Sequence, residues 1–361
     1  MAENRLYLAV GEEAARGSAE TGATGFIPLD SPSIPKMEFD DRTRKEYRGE
    51  NGALGDTSDA RMSRKWSASI AMPFFKEAGS IKGIVGTLLK HFFGRASSAQ
   101  NGTTGQYAHM MYPVADPFAT GNLGAKAVTL NLNVNEGAAM KNWPFVGGRV
   151  RGLWFEQETG HPLSCNVEMF GQKKALSTAE IGSAVFAAEN LRCAYSSLKV
   201  YTGAITRTGI APDYTQFSFA GATQIKPDKI GVKMENGMED ALRLGGLDYP
   251  DKTRMGQFKV SIDITIDWED PASGFSSIAE WRSWMESASS TSFCFVWDTL
   301  TQAGTGDNHS LIIDIPVARR LGGEPNYSLE KDPMITLKYE GLYDAQKYMV
   351  GLMLKNTASA V

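Results

Sequence analysis

The chain has 361 residues, a formal net charge of -4 and a sequence pI near 5.7, with 42% hydrophobic and 10% aromatic residues. These are values of a globular chain long enough for two domains with cores of their own, and they exclude a disordered or fibrous one. The acidic balance argues against a surface that grips nucleic acid, which is ordinarily basic, and leaves room for contact with DNA that must not be held.

Cys165, Cys193 and Cys294 are odd in number, far apart and set among apolar residues, so they read as buried reduced thiols of a protein made in cytoplasm. The apolar run near the N-terminus is too short and too acid-flanked for a signal peptide. No stretch approaches the roughly 20 apolar residues that cross a bilayer, so no membrane partner is expected.

Residues 1–25, rich in Ala, Gly, Glu and Thr, predict an arm ordered only against a partner. Phe26 to Leu29 begin the structure, and Lys36 to Glu46 predict the first strand. Arg48 to Met62, with Gly49, Gly52 and Gly55 and charges of both signs, predict a long interfacial loop. Trp66, Ala68, Ile70, Met72 and Phe74 then alternate with Lys65, Ser67 and Ser69, which predicts a strand with one apolar and one polar face. Ser80 is placed to cap a helix bearing Ile81, Ile84, Val85, Leu88, Leu89 and Phe92, and Gly94 stands where a C-terminal cap belongs. A polar connection follows over Arg95 to Gly105. Val128 to Val134 predict a strand, and Val150 to Glu158 with Leu163 to Phe170 predict a hairpin. Ala175 to Tyr195 is Ala-rich, has helical composition and has no later counterpart, so it reads as a connection.

The second half repeats this plan. Lys229 to Glu235 lead into a loop, Asn236 to Arg254, that mirrors the earlier one. Phe258, Val260, Ile262, Ile264, Ile266 and Trp268 alternate with Lys259, Ser261, Asp263, Thr265 and Asp267, the clearest two-faced strand in the chain. Ser276-Ser277 offer an N-cap to a helix carrying Ile278, Trp281, Trp284 and Met285. Strands over Phe293 to Thr299 and Leu311 to Val317 follow. Ile335 to Tyr339 and Tyr348 to Leu354 predict a closing hairpin. Glu50-Asn51-Gly52, Leu54-Gly55 and Arg61-Met62 precede the first two-faced strand. Glu235-Asn236-Gly237, Leu244-Gly245 and Arg254-Met255 precede the second in the same order. An internal duplication follows, with an arm at 1–25, a first domain at 26–205 and a second at 206–361.

Catalytic chemistry finds no candidates. His91, His109, His161 and His309 are far apart and none has a neighbour at metal-ligand spacing. There is no nucleophile elbow, phosphate-binding loop or dinucleotide fingerprint. Asp263 and Asp267 share a strand face but read as solvated charges, and Trp281 and Trp284 as core. The expectation is a non-enzyme without metal or cofactor.

The two-faced strand with its helix, the long preceding loop and the closing hairpin that ends at Lys355-Asn356 resemble the tail tube proteins of long-tailed bacteriophages. So do the runs G-E-E-A-A-R-G-S-A-E-T-G-A-T-G-F-I-P-L and F-A-G-A-T-Q-I-K-P-D-K-I-G-V-K-M-E-N-G. The resemblance implies a mainly β (α+β) chain of two tandem tube-like β-sandwich or half-barrel domains, each with one flanking helix. It implies rings, in which the sheets of neighbouring subunits join into one continuous barrel, that stack into a tube in the virion tail. Genomic DNA and a tape measure protein would occupy the channel, with a tail terminator and a distal tail protein at the ends. Duplication points to rings of three chains, with six as the alternative. Alternation then assigns Ser67, Ser69, Ser261, Asp263, Thr265 and Asp267 to the channel. The two loops would carry ring stacking through Glu50, Asp56, Asp59, Arg61, Glu239, Asp248, Asp251 and Arg254. A tail terminator or capsid decoration protein, or a carbohydrate-binding β-sandwich, are the competing readings.

Overall fold

A computed structural model describes residues 6–20, 25–27, 34–47, 54–73, 84–100, 105–137, 139–181, 193–244, 246–288, 290–302, 308–327, 332–344, 348–357 and 359. The first half contains β1 (Leu6–Glu13), β2 (Gly25–Ile27), β3 (Lys36–Tyr47), β4 (Leu54–Pro73), α1 (Ile84–Phe93), β5 (Ala96–Gln100) and β6 (Tyr107–Met111). It continues through β7 (Ala127–Asn135), β8 (Met140–Glu158), β9 (Ser164–Gly171), β10 (Lys173–Lys174) and β11 (Thr178–Ala179). The second half begins with β12 (Leu198–Ile210), β13 (Asp213–Ile225), β14 (Lys229–Glu235), β15 (Glu239–Ala241), β16 (Lys252–Arg254) and β17 (Lys259–Asp267). It ends with α2 (Ser277–Glu286), β18 (Ser290–Gln302), β19 (Asn308–Gly322), β20 (Pro325–Asn326), β21 (Met334–Gly341) and β22 (Gly351–Asn356). The chain is mainly β.

One order of antiparallel pairing occurs twice. In the first half β1 pairs β2 and β7, β7 pairs the first part of β8, the last part of β8 pairs β9, β9 pairs β4 and β4 pairs β3. In the second half β12 pairs β13 and β18, β18 pairs β19, the end of β19 pairs β21, β21 pairs β17 and β17 pairs β14. β14 also pairs β8, from Glu235 opposite Gly152 to Lys229 opposite Glu158. This joint fuses the halves into one sheet of eight strands, β3-β4-β9-β8-β14-β17-β21-β19. Strands β8 and β19 leave it through register shifts at Val150/Gly152 and Arg320/Gly322, the local bends that bulges supply. β22 bridges β19 to the β5–β6 pair.

The inward faces form one large core, beside a smaller cluster that includes Met110, Tyr214, Ile312 and Tyr348. Trp66, Ile70, Leu153, Phe155, Val167, Ile230, Val232, Ile262, Ile264 and Leu337 are among the large core's fully buried members. The Trp66 indole lies across Gly171, where a methyl would come within 2.4 Å of the ring, and donates to Val146 O at 2.8 Å. Gly94 has φ 90° and its N–H reaches Lys90 O at 2.8 Å, the expected C-terminal cap of α1. Ser276 accepts from Ala279 N at 2.9 Å, the expected N-cap of α2. The β8–β9 hairpin is also as expected.

Four expectations are corrected. The N-terminal residues are not an arm from 6 to 13, because Leu6–Glu13 runs as a strand beside β2 and β7 with Leu8, Ala9 and Val10 wholly buried. The polar, Gly-rich average over 1–25 hides this short apolar run. Most of the predicted loop Arg48 to Met62 is strand, since Leu54 onward belongs to β4 and pairs with β3, leaving 48–53 outside the described residues. Ala96–Gln100, expected in a polar connection, is a strand against β6. The last two strands are not a hairpin: β21 lies between β17 and β19, while β22 lies between β19 and β6. Ser80 and Ile81, and residues 182–192 of the Ala-rich stretch, lie outside the described residues.

Candidate functional site: the polar sheet face

Alternation in β17 buries Val260, Ile262, Ile264 and Ile266 and leaves Ser261, Asp263 and Asp267 exposed, with Thr265 half-buried. Antiparallel register carries this face across the sheet, because directly opposed residues share a face. Ser261 lies opposite Lys233 and Glu340, and Lys233 opposite Trp154. Asp263 lies opposite Gly231 and Lys338, and Gly231 opposite Glu156. Thr265 lies opposite Lys229 and Thr336, with its hydroxyl 2.9 Å from that of Thr336. On β4, Ser69 is exposed and its hydroxyl meets Asn166 Oδ1 at 3.0 Å, while Ser67 donates to Glu38 Oε1 at 2.5 Å. Thus the sheet brings all six residues singled out by alternation onto one polar face.

The neighbours of those six were not legible in advance, and they set the electrostatics. Lys229 Nζ lies 2.5 Å from Glu156, Lys233 2.7 Å from Glu235, Lys65 3.2 Å from Glu38, Arg151 3.4 Å from Glu168 and Arg319 2.7 Å from Glu340. Lys259 sits opposite Glu235 in the register. Hydrogen bonds to Glu156 and Glu235 raise the Lys229 and Lys233 ammonium pKa values. The Ser67 hydroxyl, with Lys65 adding to it, holds the Glu38 carboxyl below its ordinary range. Burial and then the charge of Asp267 push Asp228 up. The face is therefore a lattice of close ion pairs, not a wall of carboxylates. Such exposed pairs add little stability. They do occupy ammonium and guanidinium groups that would otherwise gain affinity by releasing phosphate counterions.

The residues expected to carry ring stacking fall in two places. Glu50 lies outside the described residues, and Asp56, Asp59 and Arg61 lie on β4 opposite Lys45, Thr43 and Asp41. Glu239 and Arg254 oppose each other in the small β15–β16 hairpin. Asp248 meets Arg64 at 3.0 Å and Asp251 meets Arg243 at 3.7 Å. Arg16 reaches Asp240 at 2.6 Å and Gln172 donates to Pro250 O at 2.7 Å, tying this hairpin to the first half. Its tip exposes Leu242, Leu244 and Leu247, an apolar group absent from the sequence-based assignment.

Two of the histidines have structural settings. His91 is buried 3.1 Å from Glu12, and His109 lies between Ser98 at 2.7 Å and Asn356 at 3.0 Å. Among the described residues no group of three or more His, Cys, Asp or Glu is placed to hold a metal ion, and no helix is long and apolar enough to cross a membrane. The three cysteines are buried and unbridged. A family model described as phage tail tube protein matches residues 3–341. No curated protein matches the chain.

Proposed function

The chain belongs to the phage tail tube protein family, and we propose that its copies close into rings that stack around a channel for DNA, with the polar sheet face turned inward. As a member of that family it is a structural protein of the virion tail. The observation that carries the inward orientation is the continuous polar face of Ser67, Ser69, Ser261, Asp263, Thr265 and Asp267, with the nearby Lys229, Lys233 and Arg319 held by carboxylates. A duplex moving past needs a wetted wall that neither grips nor strongly repels it. Buried apolar residues form the opposite side of the sheet, so water belongs on this one.

The recurrent pairing supports two equivalent units per chain, beginning at β1 and at β12, and hence three chains in a ring with six such units. The boundary at 206 would then move to the start of β12 at Leu198, and residues 6–13 would join the first unit. Ring-to-ring contacts are assigned to the β15–β16 hairpin, with Glu239, Asp248, Asp251, Arg254 and its leucine tip, and to the distal part of the β3–β4 hairpin. The tape measure protein and DNA would share the lumen, and the terminator and distal tail protein would cap the ends. Electron cryomicroscopy of tubes formed by the purified protein tests this. Three chains per ring with Asp263 facing the lumen are expected; Asp263 on the outer wall would sink the assignment. Replacing Asp263 and Asp267 together with lysine is expected to preserve tubes but slow DNA ejection.

A further inference from the structure

The internal joint between β14 and β8 provides a template for the edges that the chain leaves open. β14 is paired on both sides, by β17 and by β8. Its counterpart in the first half is β3. Lys36-Met37-Glu38 repeat Lys233-Met234-Glu235, and Met37 opposes Trp66 as Met234 opposes Val260, in each case the buried residue between the Lys and the Ser of the two-faced strand. Among the described residues, however, β3 pairs only β4.

The counterpart of β8 is β19. Arg149 opposes Phe170 and Arg319 opposes Glu340, both strands then slip by one residue, and Gly152 opposes Glu168 as Gly322 opposes Lys338. Past its slip, β8 has β9 on one side and β14 on the other. Past its own, segment 322–326 has β21 on one side, with Pro325 opposite Ile335 and Asn326 opposite Met334, and no described strand on the other. One edge of the eight-stranded sheet thus lacks what the opposite edge offers.

We infer that, in the ring proposed above, the β3 edge of one chain pairs antiparallel with the Gly322–Asn326 edge of the next, in the register that sets Lys36 opposite Glu324. Transferring Glu235 opposite Gly152 places Glu38 opposite Gly322, and counting along the strands gives the rest. Three features that played no part in the transfer agree with it. Lys36 and Glu324 are both exposed, fall on the polar face and have opposite charge, the favourable cross-strand combination. Pro35 meets Pro325, so the two missing N–H donors coincide at one position and the neighbouring positions keep theirs. Tyr327 is 71% exposed, whereas Gln157, its counterpart on β8, is 3% exposed beneath the internal joint. A next chain laid on this edge would cover the tyrosine. Because the two edges differ, the contact is head-to-tail and closes only as a ring or runs on as a fibre. The prolines and Gly323 with φ 127° make both edges poor templates for indiscriminate pairing.

The test is a Lys36→Cys, Glu324→Cys double variant, oxidised as assembled tubes and run on a non-reducing gel. Directly opposed antiparallel residues have Cα atoms about 4.5–5.5 Å apart, within disulfide reach. A ladder ending at three cross-linked chains is expected, and one ending at six keeps the seam while changing the ring size. Intact tubes that give only single chains would overturn the seam and leave the ring untouched. Wild-type protein that never forms rings in micrographs would overturn the ring, and the seam with it. Charge reversal gives a second readout: Lys36→Glu alone should cut tube yield severalfold, and adding Glu324→Lys should restore it. Failure of that rescue, with both proteins folded by circular dichroism, counts against the register.

Discussion

Helices α1 and α2 follow corresponding strands, yet they are held in opposite ways. In α1, Leu88, Leu89, Phe92 and Phe93 are buried, and the helix packs on β1, β2, β6 and β8. In α2 only Ser277 is buried, Trp281 and Trp284 are half-covered, and Met285 is 59% exposed. Side-chain tethers hold α2 to the sheet instead: Tyr339 donates to Glu280 at 3.0 Å, Trp281 packs edge-on to Trp268 at 5.7 Å, and Arg320 lies over Trp284 at 5.1 Å. The strand framework recurs faithfully, while the cover over each unit is local. The first unit is anchored by an aromatic helix. The second draws on a buried ionic cluster, with Arg207 bidentate to Asp314 at 2.8 Å and Tyr348 donating to Asp314 at 2.6 Å.

That contrast is open to test by stability measurements. Phe92→Ala should cost about 3–5 kcal/mol in denaturant titration, by lost burial and the cavity left behind. Trp284→Ala in α2 should cost much less, and equal costs would erase the distinction between the helices. Asp314→Ala should also cost about 3–5 kcal/mol, because it strands a buried guanidinium. A loss below about 1 kcal/mol, the range of exposed pairs, would mean that the cluster does not anchor the second unit.

Acidification should weaken the α1 side through His91. Burial lowers its pKa despite the neighbouring Glu12, while Lys90 and Arg149 act in the same direction as burial. The unfolded chain takes up this proton near pH 6.5 and the folded chain resists it, so stability falls as pH drops through that value. His309 acts in the same sense, whereas Glu13, raised by burial, acts oppositely nearer the carboxylate range. Melting curves between pH 7.5 and 5.5 should show the decline, and His91→Gln should flatten part of it. The smallest effect is expected from Ser276→Ala, which removes the cap of α2 at about 1 kcal/mol. No change in melting temperature there would mean that the tethers alone hold the helix.

Alternation was legible wherever one strand face meets the core and the other meets water, as in β17 and the later part of β4. It was silent in β1, which is buried along nearly its whole length and shows no period of two in exposure, so that β1 passed for part of an arm. In β7, also covered on both faces, Val128, Leu130, Leu132 and Val134 still alternate with Thr129, Asn131 and Asn133 and the strand was legible. Polarity misled in the distal β3–β4 hairpin, where cross-strand backbone bonds support residues that carry no apolar stripe. Six residues of the polar face could be placed from their own strands. The lysines and glutamates facing them belong to strands far away in sequence, and only the long-range register of β8, β14 and β21 brings them together.

The joint between β14 and β8 bears on assembly rates as well as on shape. For the ring proposed above, every second seam forms inside a folding chain, where the effective concentration of one edge for the other is on the order of millimolar or more at any dilution. Only two encounters between separate chains then remain per ring, the third seam closing within the assembled species, against five for units made singly. Each omitted encounter spares the translational and rotational entropy of fixing another free body, roughly 4–15 kcal/mol by general estimates. Ring initiation should therefore depend on about the third power of protein concentration, not the sixth, so that rings nucleate while the chain is still scarce.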